Sequence, residues 1–378
     1  MRHLTLAMGL LVTAAAQAQS VNNPYLIDSP WSQHHRTAGM QAATPYPGVR
    51  RADAAVQHVR FDQVIGENLG VSPWLVLSDD RYTGHPGVRT LWGATLKGAF
   101  KLVIDDGEFE LVDTVDLAGV HSMSWNFIGI TGEDGDRIVV PQPYVRGGGK
   151  FLVLKDDDAD PRSPIRVHKE YEMDAEALTR ACRPPERWKL AYSGVHVGPL
   201  PTGQIAFTLK FKPRWFQKGA DKEYVALLDN SMNSLIGCAF IDDDDISNMI
   251  AYELVDADRT AMFFPTDGGI VRMTYDANAG TFTRDWKKVI PYRERTGTTP
   301  TFLDVGDDRF VVTVDGKCAV TQVFSGKITC SEDTLPSKLY AVRRDSADDR
   351  VYTLDLPDFI ETVENSPAAV GGQVVIAN

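Results

Sequence analysis

The sequence predicts an all-β fold, a β-propeller of four-stranded antiparallel blades, and three observations predict it. Short runs rich in β-branched and aromatic residues follow one another with Asp, Asn and Gly at the breaks, the pattern of strands in hairpin sequence. Ser247 to Ile290 shows the unit most plainly, as Ser-Asn-Met-Ile-Ala-Tyr-Glu-Leu, Ala-Met-Phe-Phe, Gly-Ile-Val-Arg-Met-Thr-Tyr-Asp and Thr-Arg-Asp-Trp-Lys-Lys-Val-Ile. The unit recurs, with openings rich in Ser, Thr or Asn near residues 72, 122, 195, 248, 299 and 366, spaced by 50, 73, 53, 51 and 67 residues. Sheets repeating at that period array radially about an axis.

Taken in order, the chain begins with Arg2 and His3, an apolar run from Leu4 to Ala16, and the small-x-small site Ala16-Gln17-Ala18. That is the pattern of a signal peptide over residues 1–18, and it predicts a secreted or periplasmic protein. The apolar run is too short to span a bilayer and no later stretch is long enough, so no membrane insertion is expected. Residues 19–55 form a lead segment of Pro, Gly, Gln and Thr with little periodicity, read as coil draped over the body. The propeller domain fills residues 56–378, starting with an orphan strand from Val56 to Val64.

Blade one runs from Pro73 through Arg89 and Ala99 to Leu117, and blade two uses the runs starting at Trp125, Arg137, Lys150 and Arg166. Asp174-Ala-Glu-Ala-Leu-Thr-Arg reads as a capped helical turn stopped by Pro184-Pro185, an insertion between blades. Blade three takes Val195 to Gly198, Gln204 to Phe211, Tyr224 to Leu228 and Leu235 to Ile241; Ser247 to Ile290 is blade four. For blade five the runs at Thr301, Arg309, Cys318 and Arg350 are chosen, with Ser331 to Asp349 left open to a further strand. Gln373 to Ala377 reads as one last strand. About five complete blades and an incomplete terminal one result. Val56–Val64 and Gln373–Ala377 would be the outer and inner strands of a shared closing blade, which makes the chain read as a truncated form of a seven- or eight-bladed parent.

A net charge of −12 argues against a nucleic-acid partner, which needs clustered Lys and Arg. A small-molecule ligand and a monomeric state are expected instead. Four cysteines, Cys182, Cys238, Cys318 and Cys330, lack the close pairing of a zinc site. Either Cys318 and Cys330 bridge across a hairpin through Ser325-Gly326, or all four are buried thiols.

Loops entering the inner strands of a propeller converge on one rim of the axis, so polar residues there are the candidate binding set. They are His121, Ser122, His196, Asn248, Thr299, Glu364 and Asn365. His121, His196 and Glu364 could hold a divalent cation, Ca²⁺ or Mg²⁺; the competing reading is that such residues satisfy local backbone groups. His34, His35 and Arg36 of the lead segment could act as a lid or supply a general base, the alternative being a Trp31 box packed on a blade flank. Asp242 to Asp245 and Asp156 to Asp158 lack calcium-loop spacing and read as solvated turns. Neither a Gly-x-Ser-x-Gly elbow nor a His-Glu-x-x-His pair is present.

Two pieces resemble the quinoprotein-like (PQQ-repeat-like) β-propeller superfamily. Trp31-Ser-Gln-His-His-Arg-Thr-Ala-Gly39 looks like its lead segment. Val271 to Trp286 looks like its repeat, an Asp, a Gly and then a Trp that docks between sheets. The resemblance implies the propeller fold and, with PQQ as cofactor, a quinone-dependent dehydrogenase; one repeat alone keeps its Trp, and no adjacent cysteine pair is present. Three functions therefore stay open: a propeller binding a small or sugar-like molecule at the axial rim, an enzyme on that rim (metal-assisted hydrolase or lyase, or quinone-dependent dehydrogenase), and a scaffold for envelope proteins.

Overall fold

A computed structural model describes Asn23 and residues 74–77, 84–94, 98–116, 128–131, 135–142, 149–213, 219–293, 298–316, 318–322, 327–330, 335–357, 366–370 and 372–376. Sheet 1 is a meander of β1 (Trp74–Leu77), β2 (Arg89–Ala94), β3 (Gly98–Asp105) and β4 (Glu108–Asp116). Sheet 2 follows as β5 (Ile128–Ile130), β6 (Arg137–Gln142), β7 (Lys150–Lys155) and β8 (Arg166–Glu172). After the helix α1 (Ala175–Cys182), sheet 3 comprises β9 (Trp188–Pro199), β10 (Ile205–Pro213), β11 (Lys222–Leu228) and β12 (Leu235–Asp242). Sheet 4 is β13 (Ala251–Leu254), β14 (Arg259–Thr266), β15 (Gly269–Asp276) and β16 (Thr281–Val289). Sheet 5 takes β17 (Thr301–Val305) and β18 (Asp308–Asp315), skips a hairpin of β19 (Cys318–Gln322) and β20 (Lys327–Cys330), and closes with β21 (Lys338–Arg343) and β22 (Val351–Asp355). A last hairpin pairs β23 (Ala368–Val370) with β24 (Gln373–Val375).

What makes these sheets blades is the way each strand divides its side chains. Successive residues of a strand point to opposite faces. On β6 and β7, Ile138, Val140, Leu152 and Leu154 enter one core with Val76, Trp92 and Ala99 of sheet 1. Their neighbours Val139, Phe151 and Val153 enter a second core with Phe207, Leu209 and Ala226 of sheet 3. On β10 and β11 the same split recurs, because Ala206, Val225 and Leu227 join sheet 4 and sheet 5 residues in a third core. A middle sheet buried on both faces is thereby packed between its sequence neighbours, and the five sheets stack face to face in chain order. The Phe151–Phe207 pair, edge to face at 5.2 Å, spans sheets 2 and 3, and Phe263–Phe302 at 5.1 Å spans sheets 4 and 5; each adds about 0.5–1.5 kcal/mol beyond its burial. The fourth strands β8, β16 and β22 are largely exposed, while β5 and β13 are buried. First strands are therefore inner and fourth strands outer, which is the β-propeller arrangement.

The helix forms where the sequence predicts it. Asp174 caps it by accepting from Glu176 N at 2.8 Å, and Leu178 and Cys182 face the core. Cys182 is bonded to Cys238 of β12, so the pair of bridged cysteines is not four thiols, and the helix is stapled to the outer strand of sheet 3. Cys318 and Cys330 stand directly opposite in the β19–β20 register. Three boundaries differ from the sequence reading. Sheet 5 takes Lys338–Arg343 as its third strand, and Cys318–Gln322 belongs to the separate hairpin. The terminal strand is paired, with Ala368–Val370. Strand β9 begins at Trp188, well before Val195. The segment Val56–Val64 and the residues of 1–18 lie outside the described residues; of the lead segment Asn23 is described, and its Nδ2 donates to Pro199 O at 2.7 Å. Among the described residues no helix is long and apolar enough to cross a membrane.

Candidate functional site: a bulged rim on the inner strands

Two neighbouring inner strands enter their sheets through the same irregularity. On β9, Val197 pairs with Phe207 and Ser193 with Leu209, so residues 194–196 face Thr208 alone. At the opening of β13, Ala251 pairs with Phe263 while Ser247 N donates to Pro265 O, so residues 248–250 face Phe264 alone. Three residues against one is an enlarged β-bulge, a device that turns a strand and re-aims its side chains. His196 lies on the first bulge and Asn248 on the second. The opening of β17 makes the bend with side chains: Thr298 Oγ1 accepts from Val314 N and meets Thr313 Oγ1 at 3.0 Å.

Of the residues the sequence singles out, Asn248 and Thr299 are brought together, since Thr299 Oγ1 donates to Asn248 Oδ1 at 2.9 Å. Thr299 N in turn donates to Ser366 Oγ at 2.8 Å, and Thr301 Oγ1 to Pro367 O at 2.7 Å. The openings of β13, β17 and β23 are thus knitted in sequence around the rim. His121, Ser122, Glu364 and Asn365, and with them two of the three proposed metal ligands, lie outside the described residues, as do His34, His35 and Arg36. Among the described residues no group of three or more His, Cys, Asp or Glu side chains is placed to hold a metal ion.

His196 stands apart from that chain. Its Nδ1 is buried with no hydrogen-bond partner among the described residues. Burial and the neighbouring Lys210 ammonium push the imidazole down to about 3, so the ring is neutral at physiological pH and offers one donor and one acceptor.

Lys210 is the residue the sequence reading missed. It sits on β10 directly opposite Glu223 of β11 and Tyr192 of β9. Its Nζ lies 3.0 Å from Glu223 Oε1, 2.7 Å from Asp245 Oδ1 and 4.9 Å from the centre of the Tyr192 ring. The Lys210 side chain is 3% exposed and that of Glu223 2%, while Asp245 is 46% exposed. Burial alone would lower the Lys210 pKa; Glu223, Tyr192 and Asp245 more than offset it and hold the ammonium above its ordinary range. Burial pushes Glu223 up to about 8, although Lys210 and the Ile246 N–H pull against it. A lysine and a glutamate at core-facing positions of apolar strands, Ile-Ala-Phe-Thr-Leu-Lys-Phe and Glu-Tyr-Val-Ala-Leu-Leu, were the available signal.

The aspartate run is a correction to the sequence reading. Asp242 and Asp244 reach forward to sheet 4, to Arg284 at 2.8 Å and Lys287 at 3.1 Å, and to Lys287 at 2.6 Å. Asp243 and Asp245 reach back to Lys222 and Lys210 of sheet 3. Residues 243 and 244 bend where their N–H groups donate to Asp242 Oδ1, and the four side chains leave that bend toward both sheets, so they zip two blades together rather than only solvating a turn. Asp156 is buried, 2.6 Å from Lys101 of sheet 1, while Asp157 and Asp158 stand exposed in a turn as the sequence suggests. Beside the zipper, Gly269 stands at φ +148°, where a Cβ would lie 2.0 Å from Lys288 O, so no larger residue fits this turn.

No protein-family model matches the chain, and no curated protein does. Among solved structures, the chain is similar to the Dos1 propeller (11% identity, 71% of this chain and 56% of that one, TM-score 0.36), so it spans little more than half of that structure's length. It is similar to the α-L-arabinofuranosidase Arb93A of Fusarium graminearum bound to an iminosugar inhibitor (12% identity, 72% and 77%, TM-score 0.40). It is also similar to a mutant apocarotenoid oxygenase of Synechocystis (11% identity, 82% and 66%, TM-score 0.35).

Proposed function

We propose that the protein is an exported β-propeller that binds a small, uncharged, sugar-like molecule at the rim where its inner strands open. The observation that carries this reading is the repeated bulge, which has His196 as its last residue on one inner strand and Asn248 as its first on the next. A neutral imidazole, an amide and hydroxyl groups together supply donors and acceptors without net charge, the chemistry that matches a polyol. Export is supported by the leader pattern of residues 1–18 and by the Cys182–Cys238 bond, because disulfides persist in oxidising compartments. An acid–base enzyme built on Glu223 and Asp245 is less well supported, since Lys210 occupies the space between the two carboxylates that a reacting oxygen would need.

Thermal unfolding in the presence of L-arabinose, D-galactose or D-glucose, with D-glucuronate as the charged comparison, tests the reading. A saturable rise in Tm with a neutral sugar is expected, with apparent affinity about tenfold weaker in His196→Ala, the worth of one hydrogen bond. A flat response to all four compounds, or an unchanged affinity in His196→Ala, counts against it.

A further inference from the structure

Sheet 5 differs from its neighbours in the connection between its second and third strands. Between β14 and β15 that connection is Asp267 and Gly268 alone, whereas between β18 and β21 it spans residues 316–337 and holds the β19–β20 hairpin, which belongs to none of the five sheets. The root of the hairpin lies at the rim. There β18 ends beside the opening of β17, where Val314 N donates to Thr298 Oγ1 at 3.2 Å and Thr299, next in the chain, meets Asn248. That root is firmly built. Asp315, 2% exposed, accepts from Lys338 N at 2.8 Å, Arg293 N at 3.1 Å and Tyr340 Oη at 2.8 Å, and Arg293 Nη2 donates to Pro336 O at 2.6 Å.

Beyond its root the hairpin consists of strands of five and four residues. A two-stranded hairpin of that size is marginal in water, and its persistence calls for a staple. Cys318 opens β19, Cys330 ends β20, and the two are partners in the register, with Ala319 opposite Thr329 and Val320 opposite Ile328. Directly opposite residues of an antiparallel pair have Cα atoms about 4.5 or about 5.5 Å apart, inside the span of about 4.4–6.8 Å that a disulfide bridges. The other two cysteines of the chain are bonded to one another, which leaves this pair to itself. We propose that Cys318 and Cys330 form a second disulfide, which closes the base of the hairpin and makes β19–β20 a preformed arm on the rim. In forming it the two thiols release two protons and two electrons; a disulfide-bearing oxidant takes the electrons by thiol–disulfide exchange and leaves as a dithiol. The bond removes loop-closure entropy from the opened hairpin, worth about a hundredfold in its opening equilibrium for a loop of this length. The β18–β21 ladder runs without it, from Phe310 opposite Arg343 to Asp315 opposite Lys338, so loss of the bond loosens the arm and leaves sheet 5 in place.

Peptide mapping of the unreduced protein, unfolded and alkylated before tryptic digestion, tests the bond directly. Trypsin cuts after Lys327, between the two cysteines, so the bond is read as a pair of linked peptides. No ligand is needed, and a failure of sugar binding would not disturb the result. A Cys318–Cys330 link is expected beside the Cys182–Cys238 link. Alkylation of both Cys318 and Cys330, or either one joined to a different cysteine, would overturn the proposal. Amide hydrogen exchange then reads the brace. In the double variant Cys318→Ser with Cys330→Ser, protection across β19 and β20 is expected to fall about a hundredfold while that of β18 and β21 stays unchanged. Hairpin protection equal to that of the wild type would overturn the arm; should the variant not fold, the peptide map decides alone.

Discussion

Two junctions between blades pair their charges in different ratios. At the rim, between sheets 3 and 4, one ammonium, Lys210, lies between two carboxylates. At the far end of the inner strands, between sheets 4 and 5, one carboxylate lies between two guanidinium groups. Glu253 of β13 meets Arg309 at 2.7 Å and Arg344 at 2.9 Å, and Arg344 reaches on to Asp304 at 2.8 Å and Phe310 O at 3.0 Å. A surplus carboxylate can relieve its charge by taking a proton. At the far junction Asp304 brings the count to two carboxylates for two guanidinium groups, and a guanidinium cannot lose its proton. The rim junction is therefore adjustable by a proton and the far junction is fixed.

Breaking the fixed junction should produce the largest effect. Glu253→Ala leaves Arg344, whose side chain is 2% exposed, without its main counter-charge, and a loss of about 3–5 kcal/mol is expected in urea unfolding. A loss below about 1 kcal/mol would show that Asp304 and the Phe310 carbonyl suffice.

Next in size comes the apolar contact between the same inner strands. A Cβ on Gly198 of β9 would meet Tyr252 Cε1 of β13 at 2.7 Å. Gly198→Ala should therefore cost about 1–3 kcal/mol by overpacking, and the double variant Gly198→Ala with Tyr252→Phe should recover little, because the ring carbon and not the hydroxyl makes the shortest contact.

A third expected effect is on the pH profile of the rim. Glu223 in the folded protein binds its proton up to about pH 8, against an ordinary value of 4.5. Its contribution to stability is then fully present below about pH 4.5 and is lost as pH rises toward 8. Urea midpoints of the wild type should fall across that window relative to those of Glu223→Gln; parallel profiles would remove the distinction between the two junctions.

Much of the fold was legible, and the reason is local. Sheets 1, 2 and 4 are meanders in which alternation, turn residues and strand order all agree along the chain, so reading the runs in sequence reproduced the pairing. Sheet 5 failed because Cys318–Gln322 alternates as well as Lys338–Arg343 does, and only tertiary packing decides which one β18 accepts as a neighbour. The Cys182–Cys238 bond was hidden for a similar reason: its partners are 56 residues apart and meet because α1 folds back on sheet 3. At the rim, polarity at strand openings pointed to Asn248 and Thr299, which do meet. The charged site did not show, because a run of aspartates reads as a solvated turn until Lys210, Lys222, Arg284 and Lys287 are seen to converge on it from three separate strands.

A carboxyl ¹³C titration with labelled glutamate tests the contrast between the two ends most directly. One resonance, absent from Glu223→Gln, should titrate near pH 8. If every glutamate instead titrates in the ordinary range about pH 4.3, Lys210 holds both of its carboxylates ionised, and the rim is as fixed as the far end.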